Sequence, residues 1–470
     1  MFDKRRIAPL LLRARDFFIR IGTSLYLTKN GKTNTTAVFF YALIALLLLS
    51  NLFIFTLPSP VVPRTSIGMM NVFTLLIALV SLPRLKFKKS FFQSIYGDPI
   101  DLLVILFFLA NAVSLVAAKR IEDIIPFRLL CSGVIVFFLI RVWTPDEKLK
   151  RIFIHALGIA SICIASLSIL QAVFPTAINR IAEDYFGGRL SYGLSLEYQR
   201  GRLLHWGSVI LIFPFYYASL VLLKPFDTFK KFVYLGLGSS VLALSMIMSN
   251  FRWTFVVFVV ITMLMIKLFY YYHYVSKRWL FWLGILASIL LVFGLLSAKL
   301  LFGYNLLERF LLANQQRDVA ESLGRTMLFD QGINVFFSSP ITGAGSGNYY
   351  SLVDAFQHFT YFSIFDQFEI TLVPIASHNE LLTILAETGV AGFLSWLMIM
   401  YVTLKRMRLT ITQWREQPLI NVLTATSLAM SFGAYALYTL FENIFPQNII
   451  YLLVIVGMSH MWFGPKKTNI

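Results

Sequence analysis

The chain has 470 residues, of which 58% are hydrophobic, 16% aromatic and 14% charged, and its formal net charge is +18 at pH 7. Water-soluble domains hold about a quarter charged residues, so this composition excludes a soluble globule and makes the bilayer the solvent of most side chains. Runs such as 37–57 are apolar over about a bilayer's thickness, which excludes a β-barrel of alternating strands, and the basic excess gathers on alternate connections, which marks membrane orientation rather than a nucleic-acid partner.

The first 36 residues carry Lys4, Arg5, Arg6, Arg13, Arg15, Arg20, Lys29 and Lys32. They lack the short apolar core and small-residue cleavage site of a signal peptide. Ile7, Leu10, Leu11, Ala14, Phe17, Phe18, Ile21 and Leu25 recur at helical spacing, which predicts a basic amphipathic helix on anionic headgroups; a flexible basic tail fits the same pattern.

Beyond this leader, apolar runs predict about twelve transmembrane helices, at 37–57, 67–82, 100–117, 124–142, 152–173, 203–223, 232–249, 253–274, 279–303, 380–404, 418–441 and 447–463. Most of the 41 Lys and Arg fall on alternate connections: the leader, Arg84 to Lys89, Arg141 to Arg151, Lys224 to Lys231, Lys267 to Arg278, Lys405 to Arg415, and Lys466 with Lys467. Cytoplasmic loops hold that excess, so these connections and both termini are expected on the cytoplasmic side. The remaining connections then face outward. Most are short, one runs from Phe174 to Arg202, and the longest runs from Tyr304 to Ser377. Loops of such length without structure of their own are uncommon, so a small cap is expected there. Within it a helix is predicted over about Leu323 to Phe337, docking through Met327, Leu328, Ile333, Phe336 and Phe337 and ended by Ser338, Ser339 and Pro340. The expected fold is an all-α membrane protein, with a leader at 1–36, spans at 37–303, a partly helical cap at 304–378, spans at 379–463 and a tail at 464–470.

Ionisable residues near a membrane are costly, so those that remain are candidates for function. Arg252 lies in Ser249-Asn250-Phe251-Arg252, a turn so short that its guanidinium must stay beside the bundle; an interfacial anchor is the alternative. Arg200 and Arg202 precede the sixth span and are suited to binding an anion together, or to serving as a solvated positive flank. Arg325 lies in the first turn of the predicted cap helix. His378 precedes the tenth span, with Ser377 or Asn379 as its N-cap, where unpaired N–H groups favour an anion or developing oxyanion. A cap or packing role is the plainer alternative for that His. Gly343-Ala344-Gly345-Ser346-Gly347-Asn348 follows no strand and lacks the Lys of a phosphate loop, so it is read as a turn. Cys131 and Cys163 have no CxxC or His partner, so neither metal nor disulfide is expected. Arginines match phosphate geometry and His titrates near neutrality, a combination suited to transfer from a phosphate-bearing donor.

The stretch Ser377-His378-Asn379-Glu380, its apolar continuation and Gly389-Val390-Ala391-Gly392 resembles the signature of the O-antigen ligase and polymerase family. Gly324-Arg325, the turn Pro340-Ile341-Thr342-Gly343-Ala344-Gly345 with Asn348, and Ser249-Asn250-Phe251-Arg252 resemble further parts of it, although Phe251 and Trp253 flank Arg252 where small residues are usual. The resemblance spans roughly residues 200 to 405. It implies a metal-independent, inverting glycosyltransferase of the bacterial inner membrane, with no cofactor, working at the periplasmic face. The implied donor is an undecaprenyl-pyrophosphate-linked glycan, and the acceptor is lipid A-core in a ligase or the growing glycan in a polymerase. Arg252 and Arg325 would bind the donor pyrophosphate, His378 would deprotonate or orient the acceptor hydroxyl, and Arg200 or Arg202 would add a further anion contact. A polysaccharide or lipid transporter is the alternative of another class, and it predicts ionisable residues at mid-membrane on broken helices.

Overall fold

A computed structural model of the chain describes residues 39–40, 42–44, 46–47, 56–58, 66–81, 98–117, 124–140, 147–174, 206–222, 228–248, 252–271, 328–345, 349, 357–362, 367–372, 379–413, 415–440 and 449–463. The basic leader, the span expected at 279–303 and the tail at 464–470 lie outside the described residues.

In chain order the helices are α1 (Met69–Ser81), α2 (Pro99–Ser114), α3 (Ile124–Ile140), α4 (Glu147–Val173), α5 (Trp206–Leu222), α6 (Thr228–Met248), α7 (Arg252–Tyr271), α8 (Glu380–Thr412), α9 (Leu419–Thr439) and α10 (Ile449–Phe463). Each coincides with an expected span, and helical residues between 39 and 47 fall on the first. Lys150–Leu170 in α4, Thr254–Tyr271 in α7, α8 and α9 are long and apolar enough to cross a membrane, and the other apolar helices are shorter. The helical membrane fold is as expected, and to it the described residues add two small antiparallel hairpins. One pairs β1 (Thr56–Pro58) with β2 (Ser66–Gly68), and the other pairs β3 (Gln357–Phe362) with β4 (Gln367–Leu372) in the long loop. Aromatic and β-branched residues in Gln-His-Phe-Thr-Tyr-Phe and Gln-Phe-Glu-Ile-Thr-Leu favour extended backbone over helix there.

Burial follows the composition of each helix. α10 is apolar on every side and is buried continuously from Ile449 to His460, as a helix without a polar face must be when other helices surround it. α5 is likewise buried from Ile210 to Ser219. Glycines let the backbones approach: at Gly133 of α3 a Cβ would lie 2.8 Å from Leu453 Cδ1 of α10, and at Gly158 of α4 it would lie 3.0 Å from the Phe215 carbonyl of α5. Phe107 of α2 packs on Trp396 of α8 with ring centroids 4.9 Å apart. Outer helices instead expose apolar stripes at helical spacing: Leu102, Leu106, Leu109 and Val113 on α2, and Val390, Leu394, Met398 and Tyr401 on α8. Such stripes are what a bilayer covers.

Polar contacts sort the helix ends onto two sides. On one, Arg406 near the end of α8 meets Asp98 at the start of α2, with Nη2 2.5 Å from Oδ1, and His460 in the last turn of α10 lies 3.1 Å from the same carboxylate. Burial pushes the Asp98 carboxyl up, but the Arg406 hydrogen bond and the neighbouring His460 outweigh it and hold it below its ordinary 3.8. Lys150 at the start of α4 donates to Asn421 Oδ1 at the start of α9 on that side, at 2.8 Å. On the opposite side Asn379, at the start of α8, donates from Nδ2 to the Leu440 carbonyl just after α9, at 3.3 Å. Asp98 with Arg406 and His460, and Asn379 with Leu440, pair starts with ends, as helices of opposite direction require, while α4 and α9 meet start to start, as helices of the same direction do.

Candidate active site at the broken end of helix α8

Asn379 caps α8: its backbone is extended, and its side-chain oxygen accepts the Leu382 N–H at 2.9 Å. Of the two caps expected from sequence, Asn379 is therefore the one used, which makes His378 the residue immediately before the cap. Glu380 follows it, buried, and accepts a hydrogen bond from the Tyr435 hydroxyl of α9. The start of α8 is thus fixed twice to α9, through Asn379 to Leu440 and through Glu380 to Tyr435.

Ten residues on, α8 breaks. Gly389 adopts φ 66° and ψ −172°, a left-handed conformation that suits glycine, and the ladder of helical bonds is interrupted. The groups released are taken up by the turn after Pro340. Val390 N–H donates to the Pro340 carbonyl at 2.9 Å, Ala344 N–H to the Ala386 carbonyl at 2.9 Å, and Gly345 N–H to the Glu387 carbonyl at 3.1 Å. Close approach leaves no room for side chains: a Cβ on Gly389 would strike the Ile341 carbonyl, and one on Gly343, which has φ 74°, would strike that of Glu387. The two glycine motifs quoted from the sequence, Pro340 to Gly345 and Gly389 to Gly392, are therefore halves of one joint.

Glu387 reinforces the joint from the side. It is buried, and its Oε1 accepts the Tyr349 N–H at 3.3 Å, while the Tyr349 hydroxyl donates to the Leu328 carbonyl at 2.9 Å. Leu328 opens the described part of the cap helix, 328–338, which ends at Ser338 and Ser339 before Pro340 as expected. Its docking face meets expectation at Leu328 and Phe336 and departs from it at Ile333 and Phe337. Leu328 is buried, Phe336 packs beside Tyr349 and Ala386, and Gly332 lies against α8, where a Cβ would stand 2.7 Å from Leu382 Cδ2. That choice of face turns Ile333 and Phe337 outward, 44% and 69% exposed. The absence of a side chain at Gly332, not apolarity at 333 or 337, decides which face comes closest to α8.

Arg252 is the first residue of α7. His378, Arg325, Arg200 and Arg202 lie outside the described residues. The chain next to two of them is fixed, since Asn379 adjoins His378 and the described part of the cap helix, 328–338, opens three positions after Arg325. Sequence reasoning assigned no role to Glu380, Glu387, Tyr349 or Tyr435, although a Glu within an otherwise apolar run was itself a signal.

The fold defined by these elements is a multispanning helical membrane protein with a loop segment locked into a broken span. Residues 237–397 match the family model described as O-antigen ligase. The match begins in α6 and ends within α8, taking in Arg252, the joint and the His378 segment, and leaving Arg200 and Arg202 outside. No curated protein matches the chain.

Proposed function

We propose that the protein transfers a glycan from an undecaprenyl-pyrophosphate carrier to an acceptor hydroxyl at the periplasmic face of the bacterial inner membrane, most simply as an O-antigen ligase acting on lipid A-core. The observation that carries this is the coincidence of the family match over 237–397 with the joint between the Pro340 turn and α8. In the proposed step the acceptor oxygen forms a bond to the anomeric carbon, the bond from that carbon to the pyrophosphate breaks, and undecaprenyl pyrophosphate departs with inversion. His378 takes the hydroxyl proton or orients it, and Arg252 and Arg325 carry the developing pyrophosphate charge, with Arg200 or Arg202 as a further anion contact. Capping by Asn379 and the ties from Glu380 and Asn379 to α9 support a rigid start of α8 beside His378. No cofactor enters the step.

One observation favours transport instead, because α8 is broken beside the buried Glu387 in the manner of discontinuous transporter helices. Against it, the backbone groups at the break are engaged by the Pro340 turn rather than turned toward a passage.

Purified protein supplied with lipid-pyrophosphate glycan and lipid A-core is expected to release lipid pyrophosphate and to modify the acceptor once. A ladder growing on the carrier would make it a polymerase. No lipid pyrophosphate released with either acceptor would overturn the enzymatic proposal in favour of transport.

A further inference from the structure

The cap helix at 328–338 and the turn after it present three faces. Leu328, Gly332, Val335 and Phe336 lie toward α8 and Tyr349. Asp330, Asn334 and Ser338, spaced by four, are exposed and polar. Ile333, Phe337 and, past the helix, Ile341 are exposed and apolar, Ile341 to 78%. The last of these joins an existing surface: Val390 N–H is bonded to the Pro340 carbonyl, and Val390 opens the exposed stripe of α8 that continues through Leu394, Met398 and Tyr401.

The depth of that junction follows from helix geometry. Residues 390–404 contain no Asp, Glu, Lys or Arg, and the first charge after them is the exposed Lys405, whose ammonium lies over the Tyr401 ring as at a membrane interface. From Lys405 back to Val390 is about 22 Å at 1.5 Å per residue, less than the roughly 30 Å of hydrocarbon. Val390, and with it the carbonyl of Pro340, therefore lies below the far edge of the apolar layer. Non-helical backbone is tolerated at that depth only where protein satisfies it. The turn meets the condition: Gly343 N–H donates to the Ser339 carbonyl, and Ala344, Gly345 and Val390 bond across to or from α8.

We propose that the segment 333–341 is not a water-borne cap but a re-entrant element whose Ile333, Phe337 and Ile341 face lipid acyl chains, in the half of the bilayer nearer Asn379. Its occupant is lipid, because the patch continues a stripe that lipid already covers. The inference needs only that α8 spans the membrane, whatever chemistry the protein performs.

The test is spin labelling in lipid nanodiscs, on full-length protein with Cys131→Ser and Cys163→Ser, of single variants Ile341→Cys, Phe337→Cys and Asn334→Cys, with Leu394→Cys as the lipid reference and Glu416→Cys as the aqueous one. Labels at 341 and 337 are expected to collide with dissolved oxygen in preference to a water-soluble nickel complex, as at 394, while the label at 334 sides with 416. Nickel access at 341 and 337 equal to that at 416 would overturn the proposal, as would protection from both reagents, which would mean that protein covers the patch. The two apolar positions report independently, so loss of one variant to misfolding leaves the other to decide.

Discussion

Arg406 and Asp98 stand 308 positions apart in sequence, yet Nη2 of one lies 2.5 Å from Oδ1 of the other at the edge of the bundle. The pair joins α2 to α8, and His460 brings in α10. Removing one member leaves a charge in a poorly solvated place, which costs about 3–5 kcal/mol in buried pairs. Arg406→Met is therefore expected to lower stability in detergent strongly. Asp98→Leu combined with Arg406→Met is expected to recover much of the loss, and thermal unfolding of both variants measures it.

The same carboxylate sets an acid limit. Its folded-state pKa is held below the ordinary 3.8, so its stabilisation is full above that value and is lost as pH falls through the lower, folded value. Melting temperature followed from pH 7 downward is expected to drop below about pH 4. Asp98→Asn should reduce the part of that drop owed to this group.

The joint between α8 and the Pro340 turn tolerates no side chain at two positions. Gly389→Ala and Gly343→Ala each place a Cβ against a carbonyl on a left-handed backbone, and a loss of about 2 kcal/mol or more is expected, with turnover falling alongside. Gly433→Ala is the control, because its Cβ would meet Ile261 Cδ1 at an ordinary 3.7 Å. Equal melting temperatures for all three variants would show that the joint is not where stability resides.

For the proposed chemistry, His378→Ala is expected to lower transfer by about 10²–10⁴-fold, the usual worth of a positioned acid or base, in protein that still melts like the parent. Arg325→Lys and Arg252→Lys keep the charge but lose the bidentate fork, and both should reduce turnover sharply, with smaller effects for Arg200→Lys and Arg202→Lys. Near-normal transfer by the His378 and Arg325 variants would refute the site assignment.

No metal takes part in the proposed step, so a chelator added to the transfer assay is expected to leave the rate unchanged. A chelator-sensitive rate restored by a divalent cation would contradict the proposed mechanism.

Much of the helical architecture was legible because the membrane imposes a length and an apolar character on each span, and every helix from α1 to α10 falls on an apolar run that the sequence displays. The turn at Gly343 and the cap at Asn379 were also legible, since positive φ and capping are local demands on residue type. What local pattern could not reveal was long-range partnership. Gly343 and Gly389 read as separate motifs because nothing in either states that one fills the break in the other. Nothing near Glu387 in the sequence states that its partner is Tyr349, 38 positions away. The outward turn of Phe337 was hidden for a similar reason, since the face that docks was chosen by Leu382 across the gap at Gly332.

α10 is enclosed on every side from Ile449 to His460, yet the ribosome makes it after every other helix described. During biogenesis the earlier spans therefore reach the membrane before α10, with the α3 surface at Gly133 and the Arg406–Asp98 pair still without their α10 neighbours. Chains released before residue 449 would leave those surfaces uncovered, and so be natural targets for membrane quality control.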